Sequence, residues 1–109
     1  MSLDVYLDEP GQDGETLWTR NITHNVDSMA IAAGIYECIW RPETVGIVIA
    51  AQLVYPLQQG LIKLEKEREK IQPLEPSNGW GSYEGFVEFV RAYFNAACEN
   101  PLALVKVWR

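Results

Sequence analysis

The stretch from Asn78 to Cys98 constrains the fold more than any other part of the chain. It opens with the glycine-broken run Asn78-Gly79-Trp80-Gly81-Ser82 and continues as an amphipathic helix. The apolar face of that helix repeats at i, i+3, i+4 and i+7 and is formed by Phe86, Val90, Tyr93, Phe94 and Ala97. Ser82 is a suitable N-cap, and Pro101 cannot continue the helix. A helix of this length spans about 24 Å, which is enough to cover one side of a small sheet.

Three segments have the composition of β-strands. Leu3–Leu7 alternates apolar and polar residues, and Thr16–Thr23 is rich in β-branched and aromatic residues. Asp8–Gly14 contains proline and glycines and predicts the loop of a hairpin, while Leu102–Trp108 predicts a third strand. The sequence therefore predicts a single α+β domain over residues 1–109. Its small, largely antiparallel sheet, an N-terminal hairpin plus the C-terminal strand, would be covered by three to four helices.

The middle of the chain predicts the covering helices. We expect a helix over Val26–Ala33, an apolar connector over Ile35–Trp40 and a restart of helix at Arg41–Thr44. The long region that follows, up to Ile71, repeats its leucines at near-heptad spacing. Pro56 lies inside it, so we expect a kink or a break near Val54–Tyr55.

Composition excludes several classes of function. The net charge of −6 disfavours binding to a phosphate backbone, so we expect no nucleic-acid partner. The longest apolar run, Val45–Ala51, is too short to cross a bilayer, and the N-terminus does not look like a signal peptide, so no membrane partner is expected. Cys38 and Cys98 lack the spacing of a metal site, and we expect both in the core as reduced thiols of a cytoplasmic protein, with no metal and no cofactor.

Polar side chains gather at three places that could carry chemistry. They are Asn21, Thr23, His24 and Asn25 at a strand-to-helix junction, Arg41 with Glu43 beside Trp40, and Asn78, Trp80 and Tyr83 at the start of the last helix. Helix N-termini present free N–H groups that suit anions, an arginine can grip a phosphate, and a tryptophan offers a flat face to a base. We therefore predict a site for an anionic, nucleotide-like small molecule. Its predicted residues are Asn21, Thr23, His24, Asn25, Arg41, Asn78, Trp80 and Tyr83.

Each of these residues also has a structural explanation. Asn21, Thr23 and Asn25 suit turns and caps, and the glycines around Trp80 suit a turn with positive φ. His24 is the only histidine and would be able to exchange a proton, but no second catalytic group stands near it in the sequence. We therefore assign no catalytic residue.

Two motifs give the chain a wider resemblance. They are Asn-Ile-Thr-His-Asn at 21–25 and Asn-Gly-Trp-Gly-x-Tyr at 78–83, and the segments Leu3–Leu7, Ala33–Tyr36 and Trp40–Glu43 accompany them. In this order they resemble a family of small proteins of tailed phages and prophage-bearing bacteria. The resemblance implies a phage setting, in the host cytoplasm, and no particular activity. The chain departs from the family pattern at Gly46–Ala51, which is more apolar and predicts a buried helix, and at its end, Val107-Trp108-Arg109.

Three functions therefore compete at this stage. The first is a binding protein that sequesters an anionic signal of the host defence. The second is an interaction module that inhibits a host enzyme or defence complex, suggested by the acidic charge and the apolar Ile47–Ile49 segment, which also suggests a homodimer through that segment. The third, and least favoured, is a small enzyme in which His24 exchanges a proton and Arg41 holds the substrate.

Overall fold

The sheet has three antiparallel strands. The computed structural model describes residues 2–11 and 13–109, so Gln12 of the predicted loop lies outside the described residues. Strands β1 (Ser2–Asp8), β2 (Thr16–Thr23) and β3 (Leu104–Trp108) pair in the order β2-β1-β3, with β1 in the centre. Both pairings are antiparallel, as predicted, because the hairpin returns beside β1 and the C-terminal strand takes its other edge. The predicted α+β fold is confirmed.

Helices pack on one side of this sheet. They are α1 (Asp27–Ala32), α2 (Tyr36–Trp40), α3 (Ala51–Lys66), α4 (Arg68–Ile71) and α5 (Tyr83–Glu99), with 3-10 turns at His24–Val26, Pro42–Val45 and Gln72–Leu74. Along β1 the alternate residues Leu3, Val5 and Leu7 are fully buried in the core. Because side chains alternate between the two faces of a strand, Asp4 and Tyr6 lie on the opposite, open face. None of the described helices is long and apolar enough to cross a membrane.

Helix α5 forms as its sequence predicts. The Ser82 hydroxyl accepts a hydrogen bond from the backbone N–H of Gly85 at 2.9 Å, which caps the helix. Phe86, Val90 and Tyr93 are fully buried, as the periodicity predicts. Tyr93 also stacks on Trp18 of β2, with ring centroids 5.3 Å apart, and this contact joins the helix to the edge of the sheet.

One prediction about the middle helices is wrong, and one alternative of a second is ruled out. The predicted connector Ile35–Trp40 is largely helix α2, because three consecutive residues, Cys38 to Trp40, become buried when this turn of helix closes on the core. Of the kink or break predicted near Val54–Tyr55, the break does not occur, since α3 runs through Pro56 and ends at Lys66. Pro56 lies near the start of α3, and the carbonyl that it leaves unpaired belongs to exposed Gln52, where water can reach it.

The apolar Ile47–Ile49 segment is not the helix that its composition predicts. The backbone N–H of Val105 donates to the Val48 carbonyl at 2.9 Å, and Ile49 forms a β-bridge with Leu104. The segment is therefore apolar because it pairs with the outer edge of β3. Ile47 is buried and only Val48 is strongly exposed, at 60%. The predicted homodimer through this segment was based on a helix that does not form. The homodimer itself stays a prediction.

The two cysteines differ, and this difference predicts their reactivity. Cys98 is exposed, contrary to our expectation of a core position, whereas Cys38 is buried. Burial, reinforced by the nearby charge of Glu37, raises the pKa of the Cys38 thiol to about 12. Because the thiolate is the nucleophile, iodoacetamide at pH 8 should modify Cys98 in the native protein and leave Cys38 unmodified. Mass spectrometry of native and urea-unfolded protein checks this, and labelling of Cys38 at the rate of Cys98 in the native protein would contradict it.

Candidate functional site

A groove opens where β2 runs into the 3-10 turn at His24. It is lined by Ser2, Asn21, Thr23, Asn25 and Trp80 and has a volume of about 440 Å³, within the usual size range of ligand pockets. Both sequence motifs contribute to it, since three of the lining residues come from Asn-Ile-Thr-His-Asn and Trp80 comes from the glycine-rich run. The fold thus brings Asn21, Thr23, Asn25 and Trp80 together from distant parts of the chain. Ser2 was not predicted.

The loop before α5 holds Trp80 beside this groove. The backbone N–H of Trp80 donates to Oδ1 of Asn78 at 2.9 Å, so Asn78 shapes the turn. Gly81 has a φ of +109°, and a Cβ there would lie 2.7 Å from Cγ1 of Val26 and 3.0 Å from Cγ2 of Thr23. The loop can therefore pack on Thr23 only because residue 81 lacks a side chain. Trp80 itself is left 69% exposed, with its ring available for stacking.

The polar groups of the groove are neutral and partly unpaired. The side-chain amide of Asn21 donates to Oγ of Ser2 at 2.9 Å and to Oδ1 of Asp4 at 2.7 Å, which leaves its own Oδ1 to accept from a ligand. The Thr23 hydroxyl accepts from the backbone N–H of Asn25 at 3.2 Å and keeps its proton to donate. The Asn25 amide forms no side-chain hydrogen bond within the described residues. The groove therefore offers both donors and acceptors.

His24 is held by Trp40 and does not line the groove. The indole N–H of Trp40 donates to Nδ1 of His24 at 2.8 Å. An indole N–H can only donate, so Nδ1 is unprotonated and the ring proton sits on Nε2. The half-buried imidazole thus anchors the start of its turn to the core. The sequence did not predict this hydrogen bond between His24 and Trp40.

Arg41 also lies outside the groove. It is exposed, and the neighbouring Glu43 is bound by Arg109, whose Nη1 lies 2.5 Å from Oε1 of Glu43 and 2.9 Å from the Trp40 carbonyl oxygen. The hydrogen bond from Arg109 holds the pKa of the Glu43 carboxyl below its usual value. The cation that tethers this corner of the fold is therefore Arg109, and the groove itself contains no arginine or lysine among its described lining residues.

The N-terminus of α5 is filled by the chain's own groups. The backbone N–H of Tyr83 donates to Oε1 of Glu75 at 2.7 Å, and Ser82 caps the next turn. Tyr83 is buried, and its hydroxyl donates to the Leu64 carbonyl at 2.6 Å. It lines a separate groove between α3 and α5, with Arg68 over its ring. The anion position expected at this helix end is thus occupied by a carboxylate of the protein.

Metal-ligating side chains do not cluster in the described part of the chain. Residues 2–11 and 13–109 contain no group of three or more His, Cys, Asp or Glu side chains that could hold a metal ion. Four of the predicted residues, Asn21, Thr23, Asn25 and Trp80, line the groove beside Trp80, whereas Tyr83 lines the separate groove between α3 and α5. No family model, no curated protein and no solved structure matches this chain.

Proposed function

We propose that the protein binds a small nucleotide-like molecule in the groove of Ser2, Asn21, Thr23, Asn25 and Trp80. The observation that carries the proposal is an exposed tryptophan ring held beside unpaired amide and hydroxyl groups. A planar heterocycle matches both features, since it has a flat face to stack and an edge of donors and acceptors.

The flat face and the polar edge of such a ligand would be recognised by different residues. Stacking of a base on an aromatic ring contributes about 1–3 kcal/mol. The Asn25 amide can donate and accept at once, which is how asparagine pairs with the edge of adenine. Asn21 adds an acceptor and Thr23 adds a donor. Stacking would supply affinity, and the polar edge would select the base.

The biological role follows from the resemblance of the two motifs to phage proteins. In that setting the protein would sequester a nucleotide-like signal of the host and so counter its defence. Stoichiometric binding is favoured over turnover by the position of His24, which is bound to Trp40 and does not line the groove. The sequence hypothesis of a bound anionic group has weaker support, because the described residues lining the groove include no cation.

A thermal-shift screen of nucleosides, nucleotides and cyclic nucleotides tests the proposal. A ligand present at about 100 times its dissociation constant should stabilise the fold by about 2.7 kcal/mol, a rise in Tm of roughly 10 °C. Replacing Trp80 with alanine removes the stacking surface. The dissociation constant of the best ligand should then rise by about 5- to 150-fold, which corresponds to the loss of one stacked base.

Tyr55→Ala is the matched control. Tyr55 is as exposed as Trp80, at 69%, but it lies on α3, away from the groove. Its removal should leave the shift unchanged. The proposal would fail if no compound in the screen raised Tm, or if Trp80→Ala and Tyr55→Ala bound the best ligand equally well.

A further inference from the structure

We infer that the ligand is a ribonucleoside whose ribose hydroxyls bind Asp4, and that no phosphate group is recognised. This inference rests on the proposed function and specifies its ligand. It comes from a residue that neither motif contains.

Asp4 lies one hydrogen bond from the groove. In the register of the sheet it is paired with Asn21 on one side and with Trp108 on the other, so the three residues form a row across the open face. Its Oδ1 accepts from the Asn21 amide at 2.7 Å, and Asn21 lines the groove. Asp4 is half-buried, and its Oδ2 forms no hydrogen bond within the described residues. One carboxylate oxygen is therefore left to accept from a ligand.

A carboxylate next to a nucleoside site favours ribose. A carboxylate oxygen only accepts hydrogen bonds, and the 2′ and 3′ hydroxyls of ribose can both donate. Acidic residues bind the ribose 2′-hydroxyl in this way in dinucleotide-binding folds. Asn21 joins the carboxylate to the groove, so a base on Trp80 and a ribose on Asp4 would share Asn21 as their common contact.

The charges around the groove disfavour a phosphate. Asp4 would repel it, Glu75 already occupies the N-terminus of α5, and the described lining residues include neither lysine nor arginine. The chain as a whole carries a net charge of −6. Added phosphates should therefore weaken binding or leave it unchanged, although the sequence alone pointed to an anionic ligand.

Calorimetric titration with matched ligands tests the inference. Adenosine, guanosine, cytidine and uridine are each compared with their 2′-deoxy and 5′-monophosphate forms, on the wild type and on Asp4→Asn. The substitution keeps an oxygen that can accept from Asn21 but removes the charge. Loss of a hydrogen bond to a charged group corresponds to about 10- to 100-fold in affinity. The best ribonucleoside should exceed its 2′-deoxy form by that factor, and the factor should approach one in Asp4→Asn.

Asp8→Asn is the control on the same strand and the same face. Asp8 is engaged by Lys106 at 3.2 Å and by Thr16, away from the groove, so its substitution should leave the ribose preference intact. Equal binding of ribose and deoxyribose forms by the wild type would overturn the inference, as would a monophosphate that binds much more tightly than its nucleoside. Either result leaves the proposed function standing, because a ligand is still bound. Absence of binding by every compound would overturn both.

Discussion

Replacing Trp40 with alanine is expected to lower the free energy of unfolding by about 3–5 kcal/mol. The Trp40 side chain is only 2% exposed and stacks on Tyr36, with ring centroids 5.4 Å apart. The substitution would also leave Nδ1 of half-buried His24 without its donor. Each kcal/mol of lost unfolding free energy lowers Tm by about 4–8 °C in a domain of this size, so Tm should fall by roughly 15 °C or more. Urea unfolding followed by circular dichroism measures the change.

Trp40→Phe separates packing from hydrogen bonding in this prediction. Phenylalanine keeps an aromatic ring against Tyr36 but cannot donate to His24. A loss of about 1–3 kcal/mol is expected for this variant, because half-buried His24 loses its donor and the smaller ring leaves a void in the core. If Trp40→Ala costs less than about 1 kcal/mol, the indole does not hold the core as described.

The elements that the sequence predicts well are those with a local period. Strand β2 spans Thr16–Thr23 in the prediction and in the structure, and α5 begins after the predicted cap Ser82. Both follow from neighbouring residues: β-branched and aromatic residues favour the strand, and the 3.6-residue repeat favours the helix. The short helix α2 was missed because five residues are too few to show a period.

The positions of His24 and Arg41 outside the groove could not be predicted, because the contacts at these two places join residues far apart in the chain. Trp40 lies 16 residues from His24, and Arg109 lies 66 residues from Glu43. No local pattern reports such partners. Asp4 is different, since the alternation of β1 places it on the outer face and the hairpin register places it opposite Asn21. The register of the hairpin could therefore have predicted the row of polar residues on the open face.

Glu75 shows why a prediction based on helix N-termini gives too many anion sites. The free N–H groups that attract a ligand attract any carboxylate nearby, and Glu75 lies eight residues before Tyr83 in the loop that leads to α5. An acidic residue in the loop before a helix therefore competes with a ligand for the same position. Here the protein's own carboxylate takes it, and the groove beside Trp80 lies to one side.

Replacing Gly81 with alanine is expected both to destabilise the fold and to weaken binding of the proposed ligand. The positive φ of +109° is unfavourable for any residue with a side chain, and the new Cβ would meet Val26 and Thr23 at 2.7 and 3.0 Å. Strain and overpacking each cost about 1–3 kcal/mol, so a loss of roughly 2–6 kcal/mol is expected if the loop stays in place. The loop can instead lift away from Thr23, which relieves the contact but moves Trp80. Thermal unfolding and calorimetry on the same sample measure the two effects.

Gly79→Ala distinguishes these effects, because it changes the neighbouring glycine on the other side of Trp80. Its φ is +79°, but an added Cβ would have no atom within 4 Å, so only the backbone cost of about 1–2 kcal/mol applies. This variant should keep most of its affinity for the ligand, whereas Gly81→Ala should lose it. Equal losses of affinity would mean that the loop positions Trp80 through its backbone conformation alone. A larger loss for Gly81→Ala would mean that the contact of Gly81 with Thr23 holds the tryptophan at the groove. Only this substitution disturbs that contact.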